Sequence, residues 1–389
     1  MPLFDQIERR YLGPAKYAEA SFTFLNRSAR VEVERIRNVL EEWFSALPTA
    51  SQSDLRSRFR SNDEQQHAGA FFELYSHALV LAHGFTADVH PPSSRMTRPD
   101  SLVRREEQPL FYLEATVSVE SDSDRAARRR RQDLYDTLDR LDSPNFVLDF
   151  QIEVASEQAP SARLMRRFLE RMLANLDPDV IDRRVTLVGA AGYPTWTWSH
   201  GGWRVQFTAL PKSPEIRGAP GVRPLGVFPV ESRLVTAHVA IRKALEEKAS
   251  RYGELELPLV VAVNCLDEFS DEGDVADALL GSREVVVNVG GIPGARRFQR
   301  ATDGSWGNAK SPRNKTVSAA LVACQLRPWS IAGVTPRLRH HPWCRRRLNP
   351  ELWRGPQEIA SPFGGEMYQQ TGVAMQELFG LALGWPREL

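Results

Sequence analysis

The segment Pro258-Leu-Val-Val-Ala-Val-Asn264 places five apolar residues in a row, three of them β-branched. A strand without alternation has no water-facing side. It must be covered above and below, as the inner strands of sheets between two helix layers are. A fold with one wet sheet face cannot accommodate such a run, so the chain is expected to build an α/β (more strictly α+β) core around it.

Other periodicities supply the rest of such a core. A helix is predicted from Asp63 to His83, with Ala68, Phe71, Phe72, Tyr75, Ala78, Leu79 and Ala82 on one stripe and Gly84 where a helix ends. Strand-like runs follow at 85–90, 101–106 and 110–119, the second introduced by the turn signal Arg98-Pro99-Asp100. In the third run Phe111, Leu113, Ala115 and Val117 share one face, and Tyr112, Glu114, Thr116 and Ser118 share the other.

Beyond this the pattern predicts a charged helix over 121–143, a strand over 146–154 and an amphipathic helix over 161–176. Strands are predicted at 185–192 and 203–211, a Pro/Gly-rich loop at 211–226, and a helix from about Arg233 to Tyr252. Residues 25–47 read as one helix stopped by Pro48, with a linker or short helix after it. The stretch 366–383, EMYQQTGVAMQELFGLAL, reads as a terminal helix. The organisation expected is an N-terminal helical segment (1–60), a core from 61–120 and 233–300, an inserted α/β subdomain (121–232) and a C-terminal extension (301–389).

Composition narrows the chemistry. At 389 residues, with 42% apolar and 25% charged residues, the chain has material for a core plus insertions. It lacks the run of about 18 apolar residues that a membrane span needs. The charged start MPLFDQIERRY does not read as a secretory signal, and Cys265, Cys324 and Cys344 make no disulfide framework; a reducing cytoplasm is the expected setting. The net charge of +1 conceals 44 arginines against six lysines, so chemistry needing a lysine has few candidates: Lys16, Lys212, Lys243, Lys248, Lys310 and Lys315.

Three acidic residues fall on suggestive positions. Glu73 lies on the first core helix, Asp100 leads into the second strand and Glu114 points from the third. Carboxylates are the side chains that hold a hard cation such as Mg²⁺ or Mn²⁺, which takes oxygen ligands. The order of helix, strand, Pro-Asp strand and Glu-x-Thr strand resembles the PD-(D/E)xK superfamily of restriction-endonuclease-like nucleases, whose core runs α-β-β-β-α-β. FFELYSHALVLAHGF, RPD and FYLEAT are similar to an uncharacterised bacterial branch of that superfamily. The resemblance implies a central mixed sheet flanked by helices, Mg²⁺ (or Mn²⁺) bound by Glu73, Asp100 and Glu114, and hydrolysis of phosphodiester bonds in DNA, with RNA as the other substrate to consider, in bacterial defence or repair.

One departure stands out: Thr116 occupies the position of the motif's lysine, and a threonine brings no positive charge to a transition state. Lys248 is the replacement that helical spacing suggests, because it shares a stripe with Ile241, Leu245 and Tyr252, whereas Lys243 turns to solvent. The alternative is a nuclease-fold protein that has lost hydrolysis and acts as a nucleic-acid-binding or scaffold module. Arg128–Arg131 and Arg345–Arg347 read either as solvated faces or as contacts to a polyanion. His340, His341 and Cys344 lack a second ligand pair for zinc, and GGIPG (290–294) reads as a plain loop. A second copy of the chain or another protein as partner stays open.

Overall fold

The computed structural model describes residues 1–91, 99–119, 121–219, 222–227, 237–252, 255–287, 296–360 and 367–387. Four helices come first: α1 (Ser21–Arg27), α2 (Val31–Ser45), α3 (Thr49–Phe59) and α4 (Glu64–Ala82). Three strands follow, β1 (Thr86–Val89), β2 (Ser101–Arg105) and β3 (Gln108–Ser118). The chain then builds α5 (Asp122–Leu138), β4 (Phe146–Val154), α6 (Ala162–Leu173), α7 (Pro178–Val188), β5 (Thr195–His200), β6 (Trp203–Pro211) and β7 (Leu225–Val227). It continues through α8 (Ala237–Arg251), β8 (Leu259–Cys265), α9 (Glu272–Leu280), β9 (Arg283–Val287) and β10 (Arg296–Arg300). The short strands β11 (Gly307–Asn308) and β12 (Ser311–Pro312) precede β13 (Val317–Cys324), β14 (Arg337–His340), β15 (Gln357–Ala360), β16 (Met367–Gln370) and α10 (Met375–Leu378).

These elements fall into two compact units. One gathers residues 13–19 and 121–234, the other the remainder. The larger unit is organised on an eight-stranded mixed sheet in the order β1-β2-β3-β8-β13-β14-β15-β16. β1, β2 and β3 are antiparallel neighbours, while β3, β8 and β13 run parallel. Every residue of β8 is buried, as its unbroken apolar run requires. Val260 and Ala262 pack with Phe71, Phe72, Phe111 and Leu113 on the α4 side; Val261 and Val263 pack with Ile241 and Leu245 of α8 on the other. The large mixed sheet is thus flanked by helices on both faces. β13–β16, which the sequence sets apart in an extension, complete this same sheet. The smaller unit is a four-stranded sheet, β5-β6-β4-β7, whose Phe150, Trp203, Val205 and Phe207 pack with Leu134, Met165 and Leu169 of its helices.

Three sequence expectations are corrected. Residues 185–192 form no strand: Val185 to Val188 end α7, whose first turn is capped by Asp177 accepting from the N–H groups of Asp179 and Val180. The apolar run misled because Leu187 is 83% exposed; it faces water, not a sheet. Residues 25–47 are two helices, broken where Arg37 Nη1 donates to the carbonyls of Leu25 and Ser28 and so satisfies backbone groups that a continuous helix would use itself. The stretch 366–383 is β16 followed by the short α10, with Glu366 outside the described residues. β16 pairs antiparallel with β15, and Gly372 approaches the backbone of Gly355 so closely that a Cβ would lie 2.1 Å from its carbonyl carbon. β5 was not anticipated, and the GGIPG stretch, Arg98 and residues 233–236 lie outside the described residues.

Two glycine substitutions should separate on this basis. Gly372→Ala forces backbone apart and should destabilise by about 1–3 kcal/mol. At Gly69, within α4, a Cβ meets nothing within 4 Å, so Gly69→Ala should be stabilising by roughly 0.5–1 kcal/mol. Urea midpoints of both variants check the pair.

Candidate active site

Antiparallel pairing of β2 with β3 sets Ser101 opposite Leu113, which brings the preceding Asp100 beside Glu114. Two hydrogen bonds tie Asp100 to this stretch of β3. The Asp100 N–H donates to Glu114 Oε2 at 3.0 Å, and Asp100 Oδ2 accepts from the Ala115 N–H at 2.8 Å. Alternation along β3 turns Glu114 toward α8, where its side chain is 0% exposed. Lys248, in the last turn of α8, donates to Glu114 Oε1. Arg251 Nη1 lies 3.5 Å from the same oxygen, and the Tyr252 hydroxyl is also hydrogen-bonded to Glu114. Lys243, by contrast, is 77% exposed and faces Glu247.

Glu73 stands differently. It comes from α4, in the layer opposite the Glu114 face, and Arg58 Nη2 holds its Oε2 at 2.8 Å. Burial draws the Arg58 guanidinium down, but Glu73 and Asp54 outweigh that and keep it above its usual value. Among the described residues, no three His, Cys, Asp or Glu side chains close into a group that could enclose an ion. The structure therefore brings together Asp100, Glu114 and Lys248, with Glu73 reaching Asp100 only through its charge. His77, one turn from Glu73, is buried; burial lowers its pKa and its Nδ1 has no partner among the described residues.

Electrostatics at the two acids are unequal. Burial, then the neighbouring Glu114 charge, push the Asp100 carboxyl from 3.8 up to about 6; Lys248 and the Ala115 N–H oppose this, and Glu73 adds a further upward push. Glu114 has four donors around it, whereas Asp100 Oδ1 accepts no hydrogen bond from the described residues. Among the described residues, Lys248 and the Ala115 N–H offset the Asp100 charge only in part, and Oδ1 is left uncommitted. A divalent cation fits that need. Mg²⁺ is commonly held by one or two carboxylates, with water and phosphate oxygens completing the shell. A closed four-ligand cage of the zinc type does not fit. At His340 and His341 the rings are engaged elsewhere: His341 Nε2 with the Arg313 carbonyl, His341 Nδ1 with the Trp343 N–H, His340 Nε2 with Gln357.

Sequence reasoning missed Arg58, Arg251 and Tyr252 as neighbours of the acids. Arg251 and Tyr252 lie three and four residues after Lys248, so helical spacing alone places them beside it. Arg58 gave no such signal, because its meeting with Glu73 depends on how α3 packs on α4.

Stability should report the strain at Asp100. Its raised pKa means that the folded protein holds the proton more tightly than the unfolded chain. The associated stability is complete below about pH 4 and is lost as pH rises toward about 6. Asp100→Asn escapes that loss. In EDTA it should exceed wild type in unfolding free energy by up to about 3 kcal/mol at pH 7.5, with the gain vanishing near pH 4. Lys248→Ala, which strands a buried carboxylate, should instead cost about 3–5 kcal/mol. Denaturant titrations at both pH values decide.

Among the described residues no helix is long and apolar enough to cross a membrane. No protein-family profile, curated protein or solved structure matches the chain.

Proposed function

We propose that the chain is a metal-dependent nuclease that hydrolyses phosphodiester bonds in DNA, using Mg²⁺ or Mn²⁺ between Asp100 and Glu114. The observation that carries this reading is the meeting of Lys248 with Glu114. α8 supplies the cation that Thr116 on β3 cannot. The element order α4-β1-β2-β3-α8-β8 supports reading the sheet as a restriction-endonuclease-like core of the PD-(D/E)xK kind, with the active lysine moved from strand to helix.

A bound divalent cation would supply Lewis-acid charge at the phosphate and make an attacking water more acidic. The remaining work falls to the chain. Ala115 N–H fixes the Asp100 carboxylate through Oδ2 and leaves Oδ1 as the ligand oxygen. Glu114 is held rigid by the Asp100 N–H and by Lys248. The Lys248 ammonium stands where it orients water or stabilises charge that builds on a phosphoryl oxygen. Glu73, held by Arg58, acts on Asp100 through its field. Arg345–Arg347, in the same unit and exposed, suit a polyanionic backbone.

A second reading, a nucleic-acid-binding or scaffold module without hydrolysis, is favoured by one observation: Glu73 is occupied by Arg58, so the three carboxylates do not converge. Incubation with supercoiled DNA, linear DNA and RNA, in Mg²⁺, Mn²⁺ or EDTA, separates the two. The nuclease reading expects metal-dependent cleavage of DNA, reduced about 100-fold or more in Asp100→Ala, Glu114→Ala and Lys248→Ala and less in Glu73→Ala. Cleavage of RNA alone would change the substrate. Binding of DNA and metal without cleavage of any substrate would select the binding module.

A further inference from the structure

We infer that Arg251 is a counter-ion that metal displaces: it neutralises Glu114 in the metal-free protein and turns onto a phosphate of the nucleic acid when a divalent cation occupies Asp100 and Glu114. The inference rests on the nuclease reading and assigns a residue that couples the two ligands.

Two cationic side chains approach Glu114 Oε1, and they are held unequally. Lys248 makes a direct hydrogen bond and is 14% exposed; Arg251 stands at 3.5 Å, is hydrogen-bonded to the Tyr252 side chain, and is 47% exposed. Its backbone is the last residue of α8, while the adjoining Tyr252 is buried and hydrogen-bonded to the same carboxylate. An arriving divalent charge repels both cations. Lys248 sits on the sheet-facing side of α8 and has little room. Arg251 already reaches solvent, and a guanidinium is the planar, multi-donor group that matches phosphate oxygens. It is therefore the cation that moves; its departure uncovers Glu114 Oε1, and the solvent that Arg251 reaches is where a phosphodiester bound to the metal would lie.

Such a role makes Arg251 act on the two ligands with opposite sign. Without it the acid pair is more negative, and metal binds more tightly. Without it the metal-loaded protein also lacks one phosphate contact, and nucleic acid binds more weakly. A residue that merely supports the fold would weaken both.

Calorimetric titration of the full chain with Mn²⁺, and fluorescence anisotropy of a double-stranded oligonucleotide in Ca²⁺ or in EDTA, test this. Arg251→Ala should bind Mn²⁺ about threefold tighter or more. Its DNA affinity in Ca²⁺ should fall about tenfold with a salt slope smaller by about one, while its affinity in EDTA stays near wild type. Arg251→Lys should keep wild-type Mn²⁺ affinity and recover part of the DNA binding. Unchanged Mn²⁺ affinity in Arg251→Ala, or weakening of both ligands, overturns the inference alone, provided Asp100→Asn abolishes Mn²⁺ binding. Wild type that binds no Mn²⁺, or binds it equally well as Asp100→Asn, overturns the inference and the nuclease reading together.

Discussion

A carboxylate with no exposure to water, set in the middle of a sheet, has to be neutralised by neighbours, and Glu114 is that carboxylate. An isolated buried charge costs several kcal/mol after relaxation. Here the cost is offset by a backbone N–H from Asp100, the ammonium of Lys248, the guanidinium of Arg251 and the hydroxyl of Tyr252. Lys248 lies 134 residues further along the chain, beyond the whole inserted unit, so the insertion must leave and return without disturbing how α8 covers β3. The pairing of β3 with β8 in parallel register fixes Glu114 beside Val261, and the α8 residues packed on Val261 and Val263 fix Lys248 above it.

The two acids of the site divide the available donors very unevenly. Among the described residues Glu114 takes most of them; Asp100 receives one backbone N–H and keeps an oxygen uncommitted. An acid held above its ordinary range by burial and by a like charge is destabilising for a protein that has no use for it. Structures retain such features where a ligand removes the cost, which is why perturbed carboxyls concentrate at functional sites. Asp100 precedes β2 and is not part of it, and Glu114 is covered by Lys248 and Arg251.

Periodicity revealed what depends on local pattern. Every residue of the β8 run is buried, the alternation of β3 sends Phe111 and Leu113 to one side of the sheet and Tyr112 to the other, and the α4 stripe is buried from Ala68 to Leu79. It failed where a pattern has two physical solutions. Val185, Leu187 and Val188 are apolar and two of them β-branched, yet Asp177-Pro178 starts a helix that carries Leu187 and Val188 into solvent. Residues 366–383 contain helix formers, but the close approach of Gly372 to Gly355 and the open edge of β15 draw the first part into the sheet. Likewise the acidic triad was legible as three positions, and its incompleteness was not: the Arg58 that takes Glu73 belongs to a helix with no motif of its own.

The sequence by itself determined that a sheet strand is buried on both faces, that Glu114 turns away from the Phe111 face, and that Lys248 lies on the inner side of its helix. Each follows from a repeat of two or about 3.6 residues, which is a property of neighbouring positions along one element. Only the tertiary structure decided that Lys248 reaches Glu114, that Arg251 and Tyr252 join it, and that Glu73 is diverted to Arg58. Those are meetings between elements separated by many residues, and they depend on strand register and helix placement, which no local period encodes.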